Sequence, residues 1–233
     1  MNLLAFDTST ELLSVAVSAG GRCWERRGAG GAQASTSLIP LVRELLGEAG
    51  LSLAALDAIA FGCGPGSFTG LRTACSVAQG LALGAGVPVL PVETLLAVAE
   101  EARAQQGATD VLAVLDARMD EVYAACYRHG PAGWQRLGEI TLGPPQALAA
   151  PPGAVLAGNA FAAYGDRLPA GPRIEAAPLA SAMVRLAPGL LQAGLGRPPE
   201  DAVPLYVRDK VALTTAERAA ARLAAPMQAR MAP

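Results

Sequence analysis

The chain has 233 residues, 52% of them hydrophobic and 16% charged, with a formal net charge of −2. That is enough apolar material for one sizeable domain or two lobes without staples, and it excludes a chain that binds nucleic acid through overall charge. A single histidine, His129, rules out a His-pair metal site and leaves no other base for a Ser-His-Asp triad.

Residues 2–7 are mostly apolar and predict a central strand, closed by the polar turn Asp7-Thr8-Ser9-Thr10. Asp7, Thr8 and Ser9 suit either a nucleotide phosphate with its magnesium or a turn that caps its own backbone. Residues 13–18 alternate, Gly20-Gly21 turns the chain, and residues 22–26 form the return arm of a hairpin. Residues 28–33 read as a flexible glycine-rich link. Leu38, Leu41, Val42 and Leu45 then mark an amphipathic helix, with Ser37 as N-cap because Pro40 belongs in a first turn.

Residues 58–61 predict a buried strand, and Gly62-Cys63-Gly64-Pro65-Gly66-Ser67-Phe68-Thr69-Gly70-Leu71-Arg72 carries it into a second helix. The glycines permit close backbone approach, Ser67 can cap the helix, and a helix start offers N–H groups to an anion. Gly64, Gly66, Ser67 and Thr69 are therefore candidates, with Asp7, Thr8 and Ser9, for a vestigial phosphate or nucleotide site. The spacing matches neither GxGxxG nor a phosphate loop ending in Gly-Lys-Ser/Thr, and a plain strand-to-helix turn is the alternative. Both helices are apolar beyond one stripe. Leu38, Leu41, Val42 and Leu45 of the first, with Gly70, Thr73, Ala74, Val77 and Leu81 of the second, are expected to form a partner face, against the alternative of packing within the monomer.

A strand at 87–92 and a helix from Glu93 to Ala104 complete a mixed five-stranded sheet with flanking helices, a lobe over residues 1–107. The pattern restarts at Asp110. Strands at 111–116, 121–128 and 134–142, a short helix after Pro144, a strand at 154–157 and a helix at 179–193 echo it in a smaller lobe over 108–210. The acids of Asp116-Ala117-Arg118-Met119-Asp120-Glu121 either face a cleft or form surface charges with Arg118 in a local ion pair. His129 reads as a solvated turn residue, and residues 205–210 as a terminal surface segment. The Ala/Arg-rich stretch 211–233 is expected to be flexible. Cys23, Cys63, Cys75 and Cys126 form no CxxC pair and no secretory segment precedes Asp7, which predicts a reduced cytoplasmic protein; glycines and Pro88 break the apolar stretch 77–92, so no membrane span is expected.

Phe6-Asp7-Thr8-Ser9-Thr10, Gly64-Pro65-Gly66-Ser67-Phe68-Thr69-Gly70-Leu71-Arg72, Leu115-Asp116-Ala117-Arg118-Met119 with Glu121-Val122-Tyr123, and Pro204-Leu205-Tyr206-Val207-Arg208 together resemble the TsaB (YeaZ) family. The resemblance implies a two-lobed α/β fold of the actin/hexokinase/Hsp70-like, ribonuclease H-like class. It also implies an accessory, non-catalytic role in making threonylcarbamoyladenosine in tRNA, through binding of the paralogue TsaD together with the ATPase TsaE. The chain would pair with itself when TsaD is absent, meet tRNA only through the complex, and need no cofactor of its own: ATP and magnesium serve the partners, with weak nucleotide binding left open. The family often has a His-Ser pair where this chain has Ala34-Ser35, so no role of that histidine carries over. An ATP-dependent phosphotransferase or ATPase built on Asp7, Thr8 and Ser9 is the alternative, and a peptidase using Ser67 or Ser35 a weaker one.

Overall fold

The computed structural model describes residues 1–208; the stretch expected at 211–233 lies outside them. β1 (Leu3–Asp7) is buried along its whole length. Its two faces point into different cores, as alternation requires: Leu4 and Phe6 into one, Leu3 and Ala5 into the other. β2 (Leu12–Ala19) pairs with it antiparallel, and β3 (Arg22–Ala29) closes the hairpin, Ala19 opposite Arg22. β3 is an edge strand, and Arg22, Glu25, Arg26 and Arg27 make it unattractive for further pairing. α1 (Ala34–Ala49) leads to β4 (Ala58–Gly64), parallel to β1, and α2 (Phe68–Ala85) to β5 (Val89–Glu93), parallel to β4. The sheet order is β3-β2-β1-β4-β5.

α3 (Thr94–Gln106) crosses to a second sheet of β6 (Asp110–Asp116), β7 (Val122–Gly130), β8 (Gly133–Gly143), β9 (Val155–Gly158) and β10 (Arg173–Glu175), with α4 (Phe161–Tyr164) before the last strand. Its order, β8-β7-β6-β9-β10, repeats the first: an antiparallel meander with two parallel strands beside its first member. This is the two-lobed mixed α/β architecture that the resemblance implies.

Several local expectations are corrected. α1 begins at Ala34 rather than after Ser37, so Pro40 lies inside the helix; it can donate no hydrogen bond to the Thr36 carbonyl, and Thr36 is exposed. The link at 28–33 is built rather than loose: β3 runs to Ala29, the Gly30 N–H donates to the Glu11 carbonyl at 2.9 Å, and Gly31–Gln33 is a 3-10 turn. His129 lies within β7, one residue from its end and half-buried, with its ring edge-on to Trp134 at 5.0 Å. Residue 205 is no free surface either, since the Leu205 N–H donates to the Cys63 carbonyl of β4 at 2.7 Å. α5 (Ala180–Gln192), expected within the smaller lobe, lies on the first sheet, where Ala180, Met183 and Leu186 pack with Leu3, Ala5 and Ala60. α1 and α2 cover the opposite face. The chain therefore returns to its first lobe after building the second.

Buried carboxylates tie these layers together. Glu100 of α3 accepts from Arg103 at 2.9 and 3.0 Å, from Arg185 of α5 at 2.9 Å and from Trp134 of β8 at 2.9 Å. Burial works against its charge, but these donors outweigh that and hold the carboxyl below its ordinary range. Glu25, accepting from Arg27 and Ser181, is likewise held low against its burial. Asp7 is the opposite case. Its Oδ1 accepts from the N–H and hydroxyl of Ser9 at 2.9 and 2.7 Å, but its Oδ2 has no partner, and burial pushes the group up to about 7.

Two outcomes follow from these environments. Glu100→Ala leaves Arg185 and Trp134 unpaired where α3, α5 and β8 meet, and is expected to lower unfolding stability by about 3 kcal/mol, read from urea denaturation. Asp7 takes up a proton on folding at neutral pH, so its penalty is full above about pH 7 and fades as pH falls toward its ordinary value of 3.8. Stability is therefore expected to rise from pH 8 to pH 5 by about 3 kcal/mol, the two units below the folded value of about 7. Below about pH 4.5 the opposite loss from Glu25 and Glu100 sets in. Asp7→Asn should flatten the upper part of that curve and leave the acid limb unchanged.

Candidate functional site

The turn from β4 into α2 is shaped by what presses against it. A Cβ at Gly62 would stand 1.8 Å from Asp7 Oδ2, at Gly66 2.5 Å from Ser9 Cβ, and at Gly70 1.9 Å from the Thr8 carbonyl oxygen. These glycines are needed for close approach. Gly64 has the left-handed φ of +127°, and a Cβ there would meet the Leu205 carbonyl oxygen at 2.5 Å. Hydrogen bonds fix the contact: the Ser67 N–H donates to the Ser9 carbonyl at 2.8 Å, and Thr8 Oγ1 to the Gly70 carbonyl at 2.7 Å. Ser67 is the N-cap of α2, its hydroxyl accepting from the Gly70 N–H at 3.2 Å.

The structure thus brings Asp7, Thr8, Ser9, Gly64, Gly66 and Ser67 together, but around the protein's own backbone. Asp7 and Thr8 are sealed from solvent, and Thr69 stands exposed beyond the turn. Ser9 and Ser67 do reach the cleft between the lobes, with Glu11, Asp116, Arg118 and Asn159. The cavity there is about 80 Å³. Ligand pockets for nucleotide-sized molecules run from about 300 Å³ upward. The cleft is also latched: Arg118 bonds Glu11 of the other lobe at 2.6 Å, with Asp116 farther off at 3.8 Å, so its short ion pair is not the local one expected. Asp120 and Glu121 are held by Arg167 and Arg208. Arg118, Met119 and Asp120 all adopt left-handed backbone, φ 57°, 56° and 64°, in the turn that carries this latch.

The expected partner face divides. Leu38, Val42, Leu45, Gly70 and Ala74 are buried, the first three and Ala74 against Leu4, Phe6, Val15 and Phe61 of the chain's own sheet. They are core residues, because in this layered arrangement the most apolar line of each helix faces the strands. Leu41, Thr73, Val77 and Leu81 are half-buried beside them. What faces outward is Ile39, Pro40 and Arg43 on α1 and Arg72, Ser76, Gly80, Leu83 and Gly84 on α2, with Leu83 72% exposed.

One constellation was hidden by sequence distance. The Arg72 guanidinium lies over the Phe68 ring, 3.8 Å from its centroid, while its Nε donates to the Tyr206 hydroxyl at 2.9 Å. Phe68 and Tyr206 stack at 5.6 Å. No sequence pattern brings these segments together, since Arg72 and Tyr206 stand 134 residues apart. Of the serines considered as nucleophiles, Ser67 is engaged as a cap and the Ser35 hydroxyl donates to the Ala32 carbonyl at 3.4 Å. Among the described residues no group of three or more His, Cys, Asp or Glu stands where it could hold a metal, and no helix is long and apolar enough to cross a membrane.

Comparison with known proteins agrees with this geometry. The family TsaD, tRNA N6-adenosine threonylcarbamoyltransferase, matches residues 31–175. The tRNA threonylcarbamoyladenosine biosynthesis protein TsaB of Escherichia coli K12 is 44% identical over 133 residues, 57% of this chain and 58% of that protein. The protein of the same name from Haemophilus influenzae is 45% identical over 123 residues, 53% of this chain and 52% of its own length. The chain thus spans a little over half the length of these curated relatives. In three dimensions YeaZ from Pseudomonas aeruginosa superposes with a TM-score of 0.83 at 41% identity, covering 88% of this chain and 99% of that one. With that agreement in sequence and fold, on a framework that also matches TsaD, the chain belongs to the TsaB (YeaZ) family.

Proposed function

We propose that this chain is the non-catalytic subunit in transfer of the threonylcarbamoyl group from threonylcarbamoyl-AMP to the tRNA adenosine beside the anticodon. It acts by docking on TsaD, with TsaE joining the complex. The observation that carries this reading is the outward face of α1 and α2. Ser76, Gly80 and Gly84 keep the surface of α2 low, so that a partner helix can approach closely, and Ile39 and Leu83 supply exposed apolar area at its edges. A second copy of the chain is the substitute partner when TsaD is absent.

Catalysis and nucleotide chemistry fall to the partners. Asp7 and Thr8 are sealed, the cleft cavity is small, and the single histidine packs on Trp134, which supports a chain with no metal or ATP requirement of its own. A contact with tRNA is assigned to the assembled complex, because a net charge of −2 gives this chain no general attraction for RNA.

The test is reconstitution of the modification with TsaD, TsaE, ATP, threonylcarbamoyl-AMP and tRNA, with and without this chain. Loss of product without it is expected, and equal product would overturn the reading. The docking face is probed by Gly80→Arg, since a Cβ there meets nothing within 4 Å and the fold should be kept. Affinity for TsaD is expected to fall at least tenfold with the melting temperature unchanged. Ala74→Arg is unsuitable, because Ala74 is in the core.

A further inference from the structure

We propose that Arg72 is the receptor for a carboxylate presented by a heterologous protein partner, and that this contact favours that partner over a second copy of the chain. The inference rests on the docking face assigned above, of which Arg72 forms one end. Its side chain is held before any partner arrives: Phe68 supports one face of the guanidinium and Tyr206 Oη occupies Nε. Nη1 and Nη2 donate to no acceptor among the described residues, and no carboxylate there lies within 4 Å. A guanidinium fixed in this way presents its two outer nitrogens as a ready fork for two oxygens of one anion.

Most of the other described arginines have a carboxylate or a backbone carbonyl as partner; Arg22, which lies over Trp24, and Arg43 have neither. Arg26, Arg103, Arg118, Arg136, Arg167 and Arg185, for example, all bond carboxylates. On the outward face Arg43 of α1 joins Arg72 in having no acidic partner among the described residues, so this surface carries positive charge that those residues do not answer. Carboxylate is favoured over the phosphates of RNA by the surroundings. Phe68, Met119 and Tyr206 are exposed apolar neighbours, and the further cation beside them, Arg208, is already paired with Glu121, whereas nucleic-acid backbones are held by several free charges in a row.

A second copy answers the charge poorly. α2 contains no acidic residue, and the two on α1, Glu44 and Glu48, are both bonded to Arg26. Among the described residues Glu200 and Asp201 form no ion pair, but they lie in the turn that meets Gln79, two turns of α2 away from Arg72. The occupant we commit to is therefore a different protein with an Asp or Glu on the helix that packs here.

The experiment uses the full chain and its cognate TsaD, with affinity read by calorimetry at two salt concentrations and self-association by sedimentation. Arg72→Met keeps the aliphatic contact with Phe68 but loses the fork. It is expected to weaken TsaD binding at least tenfold and reduce its salt dependence, leaving self-association unchanged. Arg72→Lys should recover only part of the loss. Unchanged TsaD affinity in Arg72→Met, alongside lost affinity in Gly80→Arg, would overturn this inference and leave the docking face standing. Retained affinity in Gly80→Arg would instead overturn the docking face. Weakened self-association matched by Glu200→Gln/Asp201→Asn would identify a second copy as the occupant, and lost tRNA binding with TsaD affinity intact would identify RNA; either result overturns the proposal.

Discussion

The contact that the rest of the structure depends on is the seating of the β4–α2 turn against the end of β1. Three glycines, at 62, 66 and 70, leave room for Asp7, the Ser9 backbone and the Thr8 carbonyl, each within a distance that no Cβ tolerates. Because β1 is the central strand of the first sheet, that seating fixes where α2 starts and how it lies on the sheet. Ala74 and Ala78 consequently face the core while Ser76 and Gly80 face outward. A single added methyl at Gly70 would push on backbone rather than on a flexible side chain, so the helix could not keep its place.

The same seating takes up part of what a glycine-rich strand-to-helix turn has to offer an anion. Several of the groups that would meet an anion are already met. The Ser67 N–H serves the Ser9 carbonyl, the Gly70 N–H serves the Ser67 hydroxyl, and Asp7 is closed off beneath them. Above, the Glu11–Arg118 ion pair joins the two lobes across the space that remains. Asp7 stays costly in its charged form, and it is sealed beneath the cleft rather than lining it, so a ligand there would not touch it.

Much of this was legible in the sequence, for identifiable reasons. The Gly20-Gly21 hairpin, the apolar β1 and β4, the N-cap at Ser67 and the repeat beginning at Asp110 are local patterns, and local patterns determined them. The start of α1 was misplaced because Pro40 favours a first turn; an exposed Thr36 carbonyl that water can satisfy makes an interior proline tolerable instead. Periodicity also identified the apolar residues of α1 and α2 without saying what they would touch. Leu38, Val42 and Ala74 went to the sheet, and the outward surface of α2 fell largely to smaller, less conspicuous residues such as Ser76 and Gly80. The destination of α5 was likewise invisible, since an amphipathic helix does not declare which of two similar sheets it will cover.

That return of the chain is what completes the outward face. After α5 the backbone reaches Leu205, whose N–H bonds the Cys63 carbonyl and whose own carbonyl sits against Gly64, so this segment too is held by the glycine turn. Tyr206 follows directly, and its position is thereby set within reach of Phe68 and Arg72. The end of one lobe's chain thus holds the charged end of the other lobe's helix. A segment that reads as a terminal surface stretch is a built part of that surface, because the turn that positions α2 also anchors the residue that orients Arg72.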